Sequence, residues 1–103
     1  MKPRGSALRY LKHRYIGADP EKLEALEQER INAYIARTIY RLRTGARLSQ
    51  RELARRVGTT ASVICRLEDT DYQGHSMSML RRIAAALNRR LEIRFPKVRR
   101  RIR

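Results

Sequence analysis

Tryptophan is absent from the chain, and cysteine and phenylalanine occur once each in 103 residues. One cysteine closes no internal disulfide, and with two histidines it completes no structural zinc site, so no metal is expected. A reducing compartment, the cytoplasm, is the expected location. No apolar run approaches the roughly 20 residues that a membrane-spanning helix requires. Acid is the other shortage: 10 Asp and Glu stand against 25 Lys and Arg, for a net charge of +15. Such a balance points to a polyanionic partner, nucleic acid ahead of a membrane surface. Paired carboxylates, a nucleophile beside a base and a phosphate-cradling glycine loop are also lacking, so neither enzyme activity nor a cofactor is expected.

What is present is arranged in blocks. Residues 1–18 form a basic arm, with five Lys and Arg and no acid, whereas 19–31 (DPEKLEALEQERI) hold five acids against two bases. Asp19-Pro20 is a helix start, combining a side-chain acceptor with a ring that pre-sets the first helical φ. From there Leu23, Leu26, Ile31, Ile35, Ile39 and Leu42 predict one face of a long helix reaching Thr44, with Gly45 as its stop. Ser49 with Glu52 three residues on is a capping box. It opens a short helix whose inner face is Leu53, Ala54 and Val57, stopped by Gly58. Thr59 or Thr60 caps the next, with Ile64 and Leu67 inward. Ser76 caps a fourth, with Met77, Leu80, Ile83, Ala84 and Leu87 inward.

After Asn88 the period falls to two: Leu91, Ile93 and Phe95 alternate with Glu92 and Arg94, which predicts a strand over 91–95. A lone strand leaves its backbone groups unpaired, so the expectation is pairing, and hence dimerisation, with a second copy through Leu91, Ile93 and Phe95. Residues 96–103 read as a basic tail.

Two short helices joined by a turn holding glycine have the pattern of a helix-turn-helix motif over 49–68. The stretch LSQRELARRVGTTASVICRLE resembles the Cro/CI-type (XRE) family in Leu48, Gln50, Glu52-Leu53-Ala54, Gly58, Ile64 and Leu67-Glu68. DYQGHS followed by L-x-x-IA-x-AL is most similar to the HigA-type antitoxins of toxin–antitoxin operons. The resemblance implies an all-α fold: a five-helix, lambda-repressor-like domain over 19–95, with an N-terminal helical extension and a short C-terminal β-strand. It implies a repressor that binds double-stranded operator DNA as a homodimer and neutralises a cognate small basic RNase toxin; a stand-alone regulator without a toxin is the alternative.

Carried over by position, Thr60, Ala61, Ser62, Cys65 and Arg66 face the major groove and Gln50 and Arg43 meet phosphates, with Thr59 also among the DNA-binding residues and Arg51 adding charge neutralisation. The toxin-binding candidates are Leu8, Tyr10, Leu11, Tyr15 and Ile16 of the arm and Asp19, Glu21, Glu24 and Glu27 of the acidic helix, a field complementary to a basic partner. Plainer readings stand beside these. Arg37, Arg41, Arg55, Arg56, Arg81 and Arg82 read as a solvated face; His75 reads as a loop residue with a local backbone bond, and Tyr72 as packing for the same loop. Cys65 among arginines reads as a small groove contact ahead of a redox sensor. The groove face carries small side chains, so thymine methyl contacts and DNA shape are expected to supply much of the specificity, with Arg66 the one long side chain for direct base readout.

Overall fold

The structure, a computed structural model, describes residues 19–97. Four helices occur there: α1 Pro20–Gly45, α2 Gln50–Val57, α3 Ala61–Leu67 and α4 Met77–Ala86. The chain divides into two compact units, one spanning Glu29–Glu92 and the other combining the segment up to Gln28 with that from Ile93 onward. The arm candidates Leu8, Tyr10, Leu11, Tyr15 and Ile16 lie outside the described residues.

Helix α1 begins as its sequence demands. The Asp19 carbonyl accepts the Leu23 N–H at 3.0 Å and its carboxylate accepts the Glu21 N–H at 3.4 Å, with Pro20 in the first helical position. Its end is different from the expected glycine stop. Gly45 is the last helical residue, and the left-handed residue is Arg47, at φ 62°. Arg47 N–H bonds the Thr44 carbonyl and Leu48 N–H reaches back to the Arg43 carbonyl, the paired bonds of a Schellman motif. Helix α4 ends the same way around Asn88, at φ 63°, with Asn88 N–H on Ala85 and Arg89 N–H on Ala84.

The core of the Glu29–Glu92 unit gathers Ile39 from α1, Leu53, Ala54 and Val57 from α2, Ile64 and Leu67 from α3, then Ile83 and Leu87. Leu53 and Ile64 are wholly buried. Each such side chain contributes roughly 1.5–3 kcal/mol relative to exposure, which is why two helices this short hold together. The face of α1 is turned one residue from the expected line. Asn32, Ala36, Ile39 and Arg43 are buried at spacings of four, three and four, while Ile35 and Leu42 pack at the edge and Ile31 is 39% exposed. In the other unit Leu23 is fully buried and Leu26 is half exposed. Met77, expected inward on α4, is exposed as well, and Met79 packs on the core in its place.

The five-helix array and the C-terminal strand require correction: four helices and no strand occur among the described residues. The expected N-terminal helical extension is the opening part of α1 itself. Residues 91–97 have no regular structure, with Ile93 55% and Phe95 93% exposed. The alternation of Leu91, Ile93 and Phe95 satisfies the side-chain pattern of a strand but supplies no second strand for its backbone groups.

Candidate nucleic-acid interface

Helix α2 is fixed at its start by a complete capping box. The Ser49 hydroxyl accepts the Glu52 N–H at 3.0 Å, and the Glu52 carboxylate accepts the Ser49 N–H at 2.8 Å. The Ser49 backbone N–H, and after it the Ser49 side chain, hold the Glu52 carboxyl below its ordinary pKa of 4.5. This places the first N–H groups of α2, those of Gln50 and Arg51, at an exposed helix N-terminus. Arg51 is exposed there, and Gln50 is half-buried.

The turn that follows depends on Gly58, whose φ of 87° and ψ of 38° suit a residue without a Cβ. Its N–H and that of Thr59 both return to the Ala54 carbonyl, at 2.8 and 2.9 Å. Thr60, in extended conformation, then caps α3 by accepting the Val63 N–H at 3.3 Å. With seven residues, α3 has one inward stripe, Ile64 and Leu67. Helical geometry puts Ser62, Cys65 and Arg66 on the opposite side, and all three are exposed; Thr60 is exposed, while Thr59 and Ala61 are half-buried. The outward surface of α3 is therefore low relief, with one guanidinium standing above a hydroxyl and a thiol.

Two residues expected at phosphates are placed otherwise. Arg43 is buried, its Nε and Nη2 donating to the two carboxylate oxygens of Glu68 at 2.6 and 3.1 Å, and its Nη1 to the Leu48 carbonyl at 2.8 Å. The Glu68 carboxylate raises the Arg43 pKa above its already high ordinary value. The Tyr40 ring lies 5.4 Å from the guanidinium carbon. Arg43 thus takes the role of an interior brace rather than that of a surface contact. The Gln50 side-chain amide also donates to Glu68, at 3.1 Å, so that side chain is engaged within the fold, while its backbone N–H stands in the first turn of the helix.

Glu68 is the residue that sequence reasoning missed. It caps α3 and accepts from both α1 and α2, over separations of 25 and 18 residues that no local pattern reveals. Arg82 was missed too: read as part of a solvated face, it donates through Nη2 to the carbonyls of Val57 and Gly58 at 3.0 and 3.2 Å. His75 does hold a backbone bond, its Nε2 lying 2.8 Å from the Leu67 carbonyl and therefore carrying the hydrogen. Tyr72 packs edge-on to that ring at 5.1 Å and donates its hydroxyl to the Gly74 carbonyl. No group of three or more His, Cys, Asp or Glu able to hold a metal occurs among the described residues, and none of their helices is long and apolar enough to cross a membrane.

The family model of a helix-turn-helix domain matches residues 17–95. No curated protein and no solved structure matches the chain.

Proposed function

Because the chain belongs to the helix-turn-helix domain family, a family of DNA-binding domains, we propose that it is a Cro/CI-type repressor that binds its own operator as a homodimer and serves as the antitoxin of a HigA-type toxin–antitoxin operon. The observation that carries the DNA-reading part is the state of α3: clamped by Ile64 and Leu67 and capped by Thr60, it turns Ser62, Cys65 and Arg66 to solvent in a chain of net charge +15. Phosphates supply most of the affinity, through Arg51, the amino end of α2 and the surrounding arginines. Base selection comes from Arg66 and from small side chains that fit against thymine methyls. The protein acts by binding and carries out no catalysis.

The antitoxin reading is supported by the acidic opening of α1, where Asp19, Glu21 and Glu24 are exposed and Glu27 is half-buried. They form a field suited to a small basic RNase. Exposed Ile93 and Phe95 supply apolar area for contact with a second copy.

Two measurements test the proposal. A duplex carrying the promoter of the gene is expected to bind at least a hundredfold more tightly than scrambled DNA at physiological salt, and equal affinities would end the operator reading. Co-expression with the adjacent gene is expected to yield a stable complex that lacks RNase activity. Operator binding without such a complex would leave a stand-alone regulator.

A further inference from the structure

The aim of α3 is set from both ends. Its carboxyl end is held by Glu68 on Arg43 and Gln50, and its flank by the buried Ile64 and Leu67. Its amino end hangs from the turn Gly58-Thr59-Thr60, which is built on the terminal carbonyls of α2. Terminal carbonyls of a helix carry its partial negative charge and lack partners within the helix. Arg82, from α4, meets the last of them and the first carbonyl of the turn at once: one nitrogen lies 3.0 Å from the Val57 oxygen and 3.2 Å from that of Gly58. A charge-assisted donor at a helix C-terminus is favourable both as a hydrogen bond and through the dipole.

Gly58 serves the turn through its backbone: its φ of 87° is strained for a residue with a Cβ, while the Arg82 nitrogen lies at an ordinary contact distance, 3.4 Å, from where that Cβ would stand. Residues separated by 25 positions are thereby joined at the point where the polypeptide turns into α3.

We propose that Arg82 is a positioning residue for DNA recognition: held against the turn by two carbonyl bonds, it fixes the angle at which α3 is presented and does so without touching the duplex. The inference rests on the reading of α3 as the groove helix. It separates Arg82 from Arg51 and the other surface arginines assigned to phosphates, whose contribution to binding is charge. A phosphate contact and a positioning contact differ in their salt dependence, since each neutralised phosphate adds about 0.9 to the log–log slope and a positioning residue adds nothing.

The experiment compares the full-length protein with Arg82→Ala and Arg82→Lys, after thermal melts establish that each is folded at the assay temperature. Without DNA, the amide resonances of Gly58, Thr59 and Thr60 are expected to move in Arg82→Ala while those of Gln50 and Arg51 stay in place; unmoved turn amides would overturn the proposal. With a duplex selected by the wild-type protein from random sequences, Arg82→Ala is expected to bind about tenfold more weakly at fixed salt with an unchanged salt slope. Arg82→Lys, whose ammonium reaches a turn carbonyl, is expected to recover at least half of that loss on a logarithmic scale. Unchanged affinity in Arg82→Ala, a slope lower by about 0.9, or no recovery with lysine would each refute the positioning role. Failure of the wild-type protein to select any sequence would defeat the groove-helix reading instead, and the turn amides would still report on the contact itself.

Discussion

The side chains of Arg43 and Glu68 meet face to face, guanidinium against carboxylate, with both nitrogen–oxygen contacts at 3.1 Å or less and with 10% and 5% of the side chains exposed. Removing one member leaves a buried charge without its counterpart. Glu68→Ala is expected to destabilise the protein by about 3 kcal/mol in urea unfolding. Replacing both, as in Arg43→Met with Glu68→Met, is expected to cost less than the sum of the single changes. A double-mutant coupling near zero would show that the pair does not act as a unit.

Gly58 and Arg47 share the left-handed conformation at the ends of successive helices, at φ 87° and 62°. The same backbone makes opposite demands on substitution. Gly58→Ala is expected to cost about 1–2 kcal/mol, from placing a Cβ on a left-handed residue. Arg47→Gly is expected to stabilise by about 0.5–1 kcal/mol in the same unfolding assay. Equal signs for the two changes would contradict the Schellman assignment at Arg47.

Glu52 makes a prediction about acid. Its folded pKa lies below the ordinary 4.5, so the unfolded chain takes up the proton first as pH falls. The stability it contributes is complete well above pH 4.5 and disappears as pH drops from 4.5 through the lowered folded value. Glu52→Gln keeps a side-chain acceptor for the Ser49 N–H but no titrating group. Its melting temperature is therefore expected to fall less steeply than that of the wild type below pH 4.5, and parallel curves would remove the carboxylate from the acid response.

On the proposed reading of α3 as the groove helix, direct base readout falls to one side chain. Arg66→Ala is expected to relax base preference, at a cost of about 1–3 kcal/mol on the preferred duplex, whereas Ser62→Ala is expected to change preference little. Parallel selections from random DNA with each variant provide the measurement. Identical selected sequences for wild type and Arg66→Ala would assign specificity to DNA shape and methyl contacts.

Local chemistry was legible in the sequence where it depends on neighbours along the chain. Ser49 with Glu52, Ser76 and the glycine of the Gly58 turn announce their roles within four residues, and the structure places all of them as read. Thr60 takes the cap that the sequence left open between it and Thr59. Interactions between distant residues were not legible. Arg43 resembles any helix arginine until Glu68 lies against it, and Arg82 looks solvated until the Val57 and Gly58 carbonyls are in view.

The misaimed face of α1 has the same origin. An apolar pattern alone favours Ile31, Ile35 and Leu42, yet the buried line includes Asn32 and Arg43, polar residues whose inward position hydrophobicity does not signal. The helix end at Arg47 was hidden because an arginine fills the left-handed position, whereas the end at Asn88 falls where the helical period stops. The alternation at 91–95 failed differently: it describes the two faces of a strand and is silent about what the backbone pairs with.

One carboxylate, that of Glu68, receives a donor from α1 and another from α2 while it closes α3. The three helices are consequently expected to share an opening reaction. Fraying α2 alone would forfeit the bond from Gln50 and expose Leu53, and freeing α3 would strand the guanidinium of Arg43 inside the protein. Native-state hydrogen exchange should then report one protection free energy for core amides such as Ile39, Leu53 and Ile64, close to that of global unfolding. A segment as short as α3, which has no independent helical stability, is in this way kept ready by the cooperativity of the whole unit rather than by its own propensity.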